Sequence, residues 1–187
     1  QAQARLAACA ACCVIACCVV AYLTARHFEL LVPRWVSWQE RTLHRDLDGD
    51  GDDEQVGLER RRVRVASGDG RIVYESDSSW RVQDALVDDV NGDGRPELVM
   101  LVWRRGNYGN SRPFWEGGVD LRMTQHLYVM ALDKGAMRAV WMSHELGCGL
   151  EVSAMEAHDG MRITLTTRQG DRSTWEWDYF GFSLAVQ

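Results

Sequence analysis

The sequence predicts an all-β domain of blade-like antiparallel sheets that follows one N-terminal transmembrane helix. Three observations predict this fold class. The N-terminal part contains a long uncharged run, no segment after residue 40 keeps a helical apolar period over three turns, and short apolar runs alternate with Gly-containing turns. The 187-residue chain has a formal net charge of −6. Residues 1–39 are therefore predicted as anchor and linker, and residues 40–187 as the β domain.

The predicted helix is an uncharged segment. Residues 6–24 contain no charged side chain, and a run of about 19 apolar residues is just long enough to cross a bilayer. A cleaved signal peptide and a lipoprotein signal are the alternatives. However, the run is longer than the apolar core of a signal peptide, and it continues beyond Cys9 and Cys17, where a lipidated chain would become polar. We expect an uncleaved, single-pass anchor in the cell membrane.

The remaining chain carries strand signals. Runs rich in apolar and β-branched residues are separated by turn dipeptides such as Asp69-Gly70, Lys134-Gly135 and Asp159-Gly160, and Asp-Gly is a strong hairpin signal. The predicted strands are residues 63–66, 71–75, 85–87, 98–103, 126–132, 139–142, 161–166 and 174–177.

Two acidic loops lie 43 residues apart and match position by position. Oxygen-bearing side chains occupy positions 1, 3, 5 and 9 of each loop, and Gly occupies positions 4 and 6. These side chains are Asp46, Asp48, Asp50 and Glu54 in the first loop (residues 46–54), and Asp89, Asn91, Asp93 and Glu97 in the second loop (residues 89–97). Such ligands suit calcium, which takes six to eight oxygens in a flexible shell. The alternative is a pair of solvated turns without metal, because Asp, Asn and Gly are common turn residues.

An EF-hand does not fit these loops. An EF-hand needs a bidentate Glu at position 12 and a helix on each side, whereas position 12 is Gly57 in the first loop and Met100 in the second. The segment after the second loop is short and apolar, which indicates a buried strand. The Glu at position 9 is therefore expected to complete the ligand shell.

The second loop, Asp-Val-Asn-Gly-Asp-Gly-Arg-Pro-Glu followed by Leu98-Val99, resembles the calcium loop of FG-GAP/VCBS repeats. These repeats occur in integrin α-chain propellers and in many bacterial surface proteins. The resemblance implies calcium ligands at positions 1, 3, 5 and 9, together with the carbonyl at position 7, which belongs to Asp52 or Arg95. The first loop matches less closely, and the Phe-Gly/Gly-Ala-Pro signature is missing from both repeats.

The repeat predicts two or three blade-like units. A third unit is expected to start near residue 150, where Ala157-His158-Asp159-Gly160 replaces the calcium loop. Closed propellers typically have four to eight blades. We therefore expect either a partial, propeller-like sandwich or closure by association with other chains.

The calcium prediction also decides the expected sidedness. Arg and Lys beside the apolar run slightly favour a cytoplasmic C-terminal part. Weak oxygen-only sites, however, fill only where calcium is abundant, and extracellular modules bind it at about 10⁻⁴–10⁻³ M. We therefore expect residues 40–187 to lie outside the cytoplasm, on the surface of a bacterial cell.

Residues 104–115, termed the arginine–aromatic segment, combine Arg, Asn, Gly and aromatic residues. Loops held on a rigid sheet commonly carry binding function, and Arg beside aromatic residues is typical of binding hot spots. The alternative is a connection whose aromatic side chains cover the core. The predicted contacts to a protein or cell-surface glycan are Arg104, Arg105, Tyr108, Arg112, Phe114 and Trp115.

Other classes of function have less support. The sequence contains no Gly-x-Ser-x-Gly, phosphate-loop or His-Glu-x-x-His motif, and no motif for nucleic-acid binding. The predicted function is a membrane-anchored, calcium-binding β module that binds a protein or glycan partner. The alternatives are a structural accessory subunit of a membrane complex and a hydrolase with a site near Arg112, Asp120 and His126.

Overall fold

The structure, a computed structural model, describes residues 2–108, 114–115, 117–146, 151–158 and 161–185, with side chains from residue 10 onward. Within these ranges, one helix is followed by twelve strands. The elements are α1 (Ala2–His27), β1 (Arg41–Arg45), β2 (Glu54–Glu59), β3 (Arg62–Ala66), β4 (Ile72–Glu75), β5 (Arg81–Asp88), β6 (Glu97–Arg105), β7 (Met123–Asp133), β8 (Ala136–Met142), β9 (Val152–His158), β10 (Arg162–Thr167), β11 (Arg172–Asp178) and β12 (Gly181–Leu184).

The strands form three antiparallel sheets, each a meander of four consecutive strands. Sheet A contains β1–β4, sheet B contains β5–β8 and sheet C contains β9–β12. This arrangement confirms the predicted all-β fold of blade-like sheets after one N-terminal apolar helix. All eight predicted strands are present.

Four strands, β1, β2, β9 and β12, were not predicted as strands. β1 reads Arg-Thr-Leu-His-Arg and exposes four of its five residues, so its own sequence has little apolar alternation. It forms a strand because it pairs along its whole length with β2, from Arg41 opposite Leu58 to Arg45 opposite Glu54. β9 coincides with the start expected for a third unit, although Asp159 and Gly160 lie outside the described residues.

Sheet B lies between the other two sheets and is buried on both faces. Side chains along a strand alternate between the faces of its sheet. In β6, Leu98 and Met100 belong to the apolar cluster shared with sheet A, whereas Val99 and Leu101 belong to the cluster shared with sheet C. All four are fully buried. The continuous apolar run in β6 is the sequence signature of a strand covered on both sides.

The outer faces of sheets A and C are polar. On sheet A, Glu75 pairs with Arg62 at 3.2 Å and with Arg64 at 3.3 Å. On sheet C, cross-strand ion pairs join Arg162 to Glu176 at 3.2 Å and Arg172 to Glu156 at 2.9 Å. Stacked repeats need polar outer faces on their terminal units for solubility. Both outer sheet faces are therefore suited to contact with water.

The stack has two distinct ends. The linker after α1 reaches the start of β7, where the Met123 amide donates a hydrogen bond of 2.7 Å to the Glu29 carbonyl. This end, where β6 also finishes, is termed the anchor end. Both acidic loops connect the first and second strands of their sheets at the opposite end, termed the loop end. Along β6 from Glu97 to Arg105, the two ends are about 27 Å apart at roughly 3.4 Å per residue.

The helix α1 stands apart from the sheets. Residues 10–27 have a mean hydropathy of 1.7 and no part of this stretch is buried against the domain. A helix of 26 residues is about 39 Å long at 1.5 Å per residue, which exceeds the roughly 30 Å of a bilayer core. The helix is thus long and apolar enough to cross a membrane, and a signal sequence would have the same features.

The central position of sheet B makes a prediction about stability. Leu101→Ala, at the buried contact of sheets B and C, should lower the free energy of unfolding by about 2–5 kcal/mol because it leaves a cavity. Leu184→Ala, at an exposed site on β12, should change it by less than about 0.5 kcal/mol. Urea unfolding of the full chain in detergent measures both values. Equal effects of the two substitutions would contradict the packing described here.

Candidate calcium loops and anchor-end surface

The two acidic loops have the same backbone hydrogen bonds at position 1. In the first loop, the two carboxylate oxygens of Asp46 accept from the amides of Gly49 at 2.7 Å and Gly51 at 2.9 Å. In the second loop, those of Asp89 accept from the amides of Gly92 at 2.8 Å and Gly94 at 2.9 Å. The Gly at position 6 has a φ of 97° in the first loop and 89° in the second, a conformation that glycine adopts readily. Position 1 therefore organises each turn.

Positions 3 and 5 also match. Asp48 and Asn91, at position 3, accept from the amides two residues later at 3.2 and 2.8 Å. Asp50 and Asp93, at position 5, do the same at 2.8 and 2.9 Å. These short local bonds are typical of Asx turns, and they orient the side chains at positions 1, 3 and 5 in the same way in both loops.

The Glu at position 9 is a buried carboxylate. Glu54 is 2% exposed and Glu97 is 1% exposed, and each accepts a hydrogen bond from the amide at position 2, at 2.8 Å from Leu47 and 3.2 Å from Val90. Within the described residues, neither carboxylate has a basic side-chain nitrogen within 4.0 Å. A buried carboxylate without a cation is costly.

The surroundings of these two carboxylates shift their pKa values. Burial raises the pKa of Glu97 to about 7, and the negative charges of Asp93 and Asp89 add to this shift. Burial likewise raises the pKa of Glu54, with smaller contributions from the neighbouring aspartates of the first loop. In both loops, the buried acid therefore lies in an environment that favours a nearby positive charge.

The donor set of the first loop fits a calcium ion. Carboxylate oxygens of Asp46, Asp48 and Asp50 all lie within 4.8 Å of one another. Calcium binds oxygen at 2.3–2.6 Å, so two ligands on opposite sides of one ion are about 5 Å apart. The spacing thus allows the three carboxylates to share one ion.

The second loop carries one carboxylate fewer because Asn91 replaces an aspartate. The amide nitrogen of Asn91 donates to Glu97 at 2.6 Å and to Asp93 at 3.3 Å. Both carboxylates therefore converge on one polar group, which supplies part of the positive potential that a cation would provide.

Each loop is joined to the packing between two sheets. Leu47, at position 2 of the first loop, is buried in the cluster between sheets A and B, and Val90 is buried in the cluster between sheets B and C. The loops are also neighbours, because a Cβ atom built on Gly49 would lie 3.9 Å from Cδ of Arg95. Arg95, whose carbonyl was a predicted ligand, thus also extends its side chain beside the first loop.

The arginine–aromatic segment begins with the last two residues of β6, Arg104 and Arg105, and continues into the connection to β7 at the anchor end. Arg104 donates to the Tyr108 carbonyl, and the Tyr108 ring lies 6.2 Å from that of His144, so both side chains face the protein. Arg105 is exposed and donates to the Leu121 carbonyl at 2.6 Å. Phe114 and Trp115 are 93% and 71% exposed. Arg112 lies outside the described residues.

An ion-pair cluster at the base of this connection was not predicted. Arg122 lies 2.9 Å from Asp120, 3.2 Å from Glu145 and 3.6 Å from Glu29 in the linker after α1. Hydrogen bonds from Arg122 lower the pKa of Asp120, and the same contact raises the pKa of Arg122. The cluster joins the linker after α1 to sheet B. The sequence shows the four charged residues, of which Asp120 was considered for a hydrolase, but not that they meet.

Of the residues considered for a hydrolase, the structure describes Asp120 and His126, and these two do not form an accessible pair. Asp120 binds Arg122, whereas His126 is fully buried. Nδ1 of His126 lies 3.1 Å from the Ser143 carbonyl, and Nε2 lies 2.9 Å from the Thr124 hydroxyl and 3.0 Å from the Gly106 carbonyl. A neutral ring can donate from Nδ1 to Ser143 and accept at Nε2 from Thr124. Burial lowers the pKa of His126 to about 4. This arrangement suits a structural, neutral histidine.

No protein-family model, curated protein or solved structure matches this chain. The resemblance of the acidic loops to FG-GAP/VCBS repeats therefore remains a prediction from their residues.

The buried histidine predicts a pH dependence of stability. Because its folded-state pKa lies below the value of about 6.5 expected on unfolding, the unfolded state binds more protons between pH 6.5 and pH 4. The stabilisation is present above pH 6.5 and is lost as the pH falls toward 4. Relative to His126→Gln, the native chain should lose up to about 2 kcal/mol of unfolding free energy between pH 7 and pH 5.

Urea unfolding of both proteins at each pH measures this difference. Acidic groups such as Glu97 are present in both proteins, so their opposite contribution cancels in the comparison. Parallel pH profiles would contradict a buried, neutral His126.

Proposed function

We propose that this protein is a membrane-anchored module whose β domain lies outside the cytoplasm, binds calcium at its two acidic loops and contacts a partner through its anchor end. The observation that carries the calcium proposal is the matched geometry of the loops, each with a buried glutamate at position 9 and exposed or half-buried oxygen-bearing side chains at positions 1, 3 and 5. Two copies of one acidic turn with the same hydrogen bonds are better explained by a shared ligand than by solvation alone.

Each ligand position of the loops has a separate role in the proposed site. The position 1 aspartates hold the turns. The side chains at positions 3 and 5, Asp48 and Asp50 in the first loop and Asn91 and Asp93 in the second, face the same space. Glu54 and Glu97 connect that space to the amides of Leu47 and Val90, which are part of the apolar clusters. A bound calcium ion would supply positive charge to these carboxylates. Calcium binding would thereby stabilise the contacts of sheet B with both neighbouring sheets.

The helix supports the anchoring part of the proposal. It is long enough to span a bilayer and its described side chains make no buried contact with the β domain. The extracytoplasmic placement rests on the weak affinity expected of exposed, oxygen-only sites. The partner proposed from the sequence is a protein or a cell-surface glycan, bound at the arginine–aromatic segment.

Calcium should stabilise the chelator-treated chain. At a hundredfold excess over Kd, each site should add about 2.7 kcal/mol to the free energy of unfolding. Asp50→Ala and Asp93→Ala should each remove one site, because each deletes the position 5 ligand of one loop. Calorimetric titration and urea unfolding of the full chain in detergent, with and without calcium, measure the number of sites and the gain.

Asp53→Ala is the matched control for these variants. Asp53 is an exposed acid at position 8 of the first loop, which is not a proposed ligand position, so both sites should remain. If Asp53→Ala and Asp50→Ala lose the same amount of calcium-dependent stabilisation, the stabilisation depends on the general negative charge of the loop and not on the ligand positions. Absence of any response in the native chain would overturn the calcium proposal.

The anchor is tested separately. The native chain should stay in the membrane pellet after alkaline carbonate extraction. Ile15→Arg should release it, because an arginine at the centre of a membrane helix costs about 2.5–3.5 kcal/mol. Ala25→Arg, near the helix end beside Arg26, is the control and should remain in the pellet. Release of the native chain, or its recovery with the apolar run removed by cleavage, would contradict an uncleaved anchor.

A further inference from the structure

Apolar side chains are concentrated and exposed in the connection between β6 and β7. Phe114, Trp115 and Val119 are 93%, 71% and 82% exposed, and Leu121 is also exposed. The rings of Phe114 and Trp115 pack edge to face with centroids 4.8 Å apart. Soluble surfaces rarely expose such a group without a binding role.

These side chains lie close to the point where the anchor joins the domain. Leu121 is two residues before Met123, whose amide binds the Glu29 carbonyl, and Glu29 is two residues beyond the last residue of α1. The side chain of Arg122 contacts Glu29 as well, at 3.6 Å. Backbone and side-chain contacts therefore hold the base of this connection beside the end of the helix.

Exposure alone does not identify the occupant of this surface. Tyr179 and Phe180, in the turn between β11 and β12, are also exposed, but that turn is at the loop end. That end lies about 27 Å along β6 from the point where the linker after α1 joins the domain. Phe114, Trp115, Val119 and Leu121 combine apolar exposure with a position beside the helix, where Phe28 and Leu31, just beyond the end of α1, are exposed as well.

We propose that Phe114, Trp115, Val119 and Leu121 form a second membrane contact, in the interfacial layer of the bilayer that α1 crosses. This inference rests on the membrane anchor of the proposed function, and at Phe114 and Trp115 it replaces the protein or glycan partner with lipid. Trp is enriched at membrane–water interfaces because its ring is apolar and its N–H is polar.

Two further features of the chain support lipid as the partner. Arg105 holds the Leu121 carbonyl at 2.6 Å and is itself exposed, so its guanidinium is available near the headgroups. Basic residues close to a membrane are attracted by anionic lipids. Attachment at both the helix and this surface would restrict rotation of the domain and point the calcium loops away from the bilayer.

The test uses the full chain in vesicles of phosphatidylcholine and phosphatidylglycerol, with bromine on the acyl chains near the headgroups as a short-range quencher. Tryptophan emission is compared for the native chain, Trp115→Phe, and the double variant Trp115→Phe/Phe180→Trp. The double variant is the matched control, since it moves one exposed tryptophan from the anchor end to the loop end. The other seven tryptophans are common to all three proteins and cancel in the differences.

The difference in emission between the native chain and Trp115→Phe reports Trp115, and brominated lipid should quench it strongly. The difference between Trp115→Phe and the double variant reports the tryptophan placed at position 180, and brominated lipid should not quench it. The proposal is overturned if the Trp115 emission is unquenched in a chain that resists carbonate extraction, an outcome that favours a protein or glycan partner. Equal quenching at both positions also overturns it. If carbonate extracts the native chain, the membrane anchor of the proposed function is itself contradicted, and the failure lies there and not in the lipid contact.

Discussion

The burial of sheet B on both faces is the constraint on which the rest of the structure depends. Its strands must supply two apolar surfaces at once, so neighbouring residues in β6 belong to different clusters. A shift of one residue would exchange the two sets of side chains.

The neighbouring polar residues Gln83 and Asp84 in β5 also point to opposite faces of sheet B. Gln83 donates to the Val152 carbonyl of sheet C at 3.1 Å, and Asp84 binds Arg41 of sheet A at 2.5 Å. Both groups are buried, and leaving either unpaired would be costly.

The acidic loops depend on this same packing. Each begins where the first strand of a sheet ends, and each sends its position 2 side chain into the apolar layer between its own sheet and the next. The chemistry of the loop and the packing of the sheets therefore share residues, which explains how an ion at the surface could influence a distant core. The anchor end, about 27 Å away along β6, carries a different kind of surface, with exposed aromatic rings and an ion-pair cluster. The two ends are suited to different ligands.

The sequence predicts those parts of the structure that depend on residues close together in the chain, and it does not predict contacts between residues far apart in the chain. The central strands β6 and β7 were predictable because burial on both faces requires apolar residues at almost every position. β1 was not, since its four exposed residues carry no pattern and its pairing partner defines it. For the candidate site, the matched turns were predictable from spacing alone, because the bonds of Asp46 and Asp89 span three to five residues. The contact of Arg122 with Glu29 joins residues 93 positions apart, and no local signal reports it.

By itself, the sequence determined the features that arise within a short stretch of chain: an apolar helix, most of the strands and the repeated acidic turns with their oxygen side chains. Only the tertiary structure decided how these features are placed. It buried Glu54 and Glu97, assigned Leu47 and Val90 to different intersheet layers, and brought the exposed Phe114 and Trp115 to the end of the stack that carries the helix. The physical reason is that turn conformation and side-chain alternation depend on neighbours in sequence, whereas burial and proximity depend on which sheet faces meet.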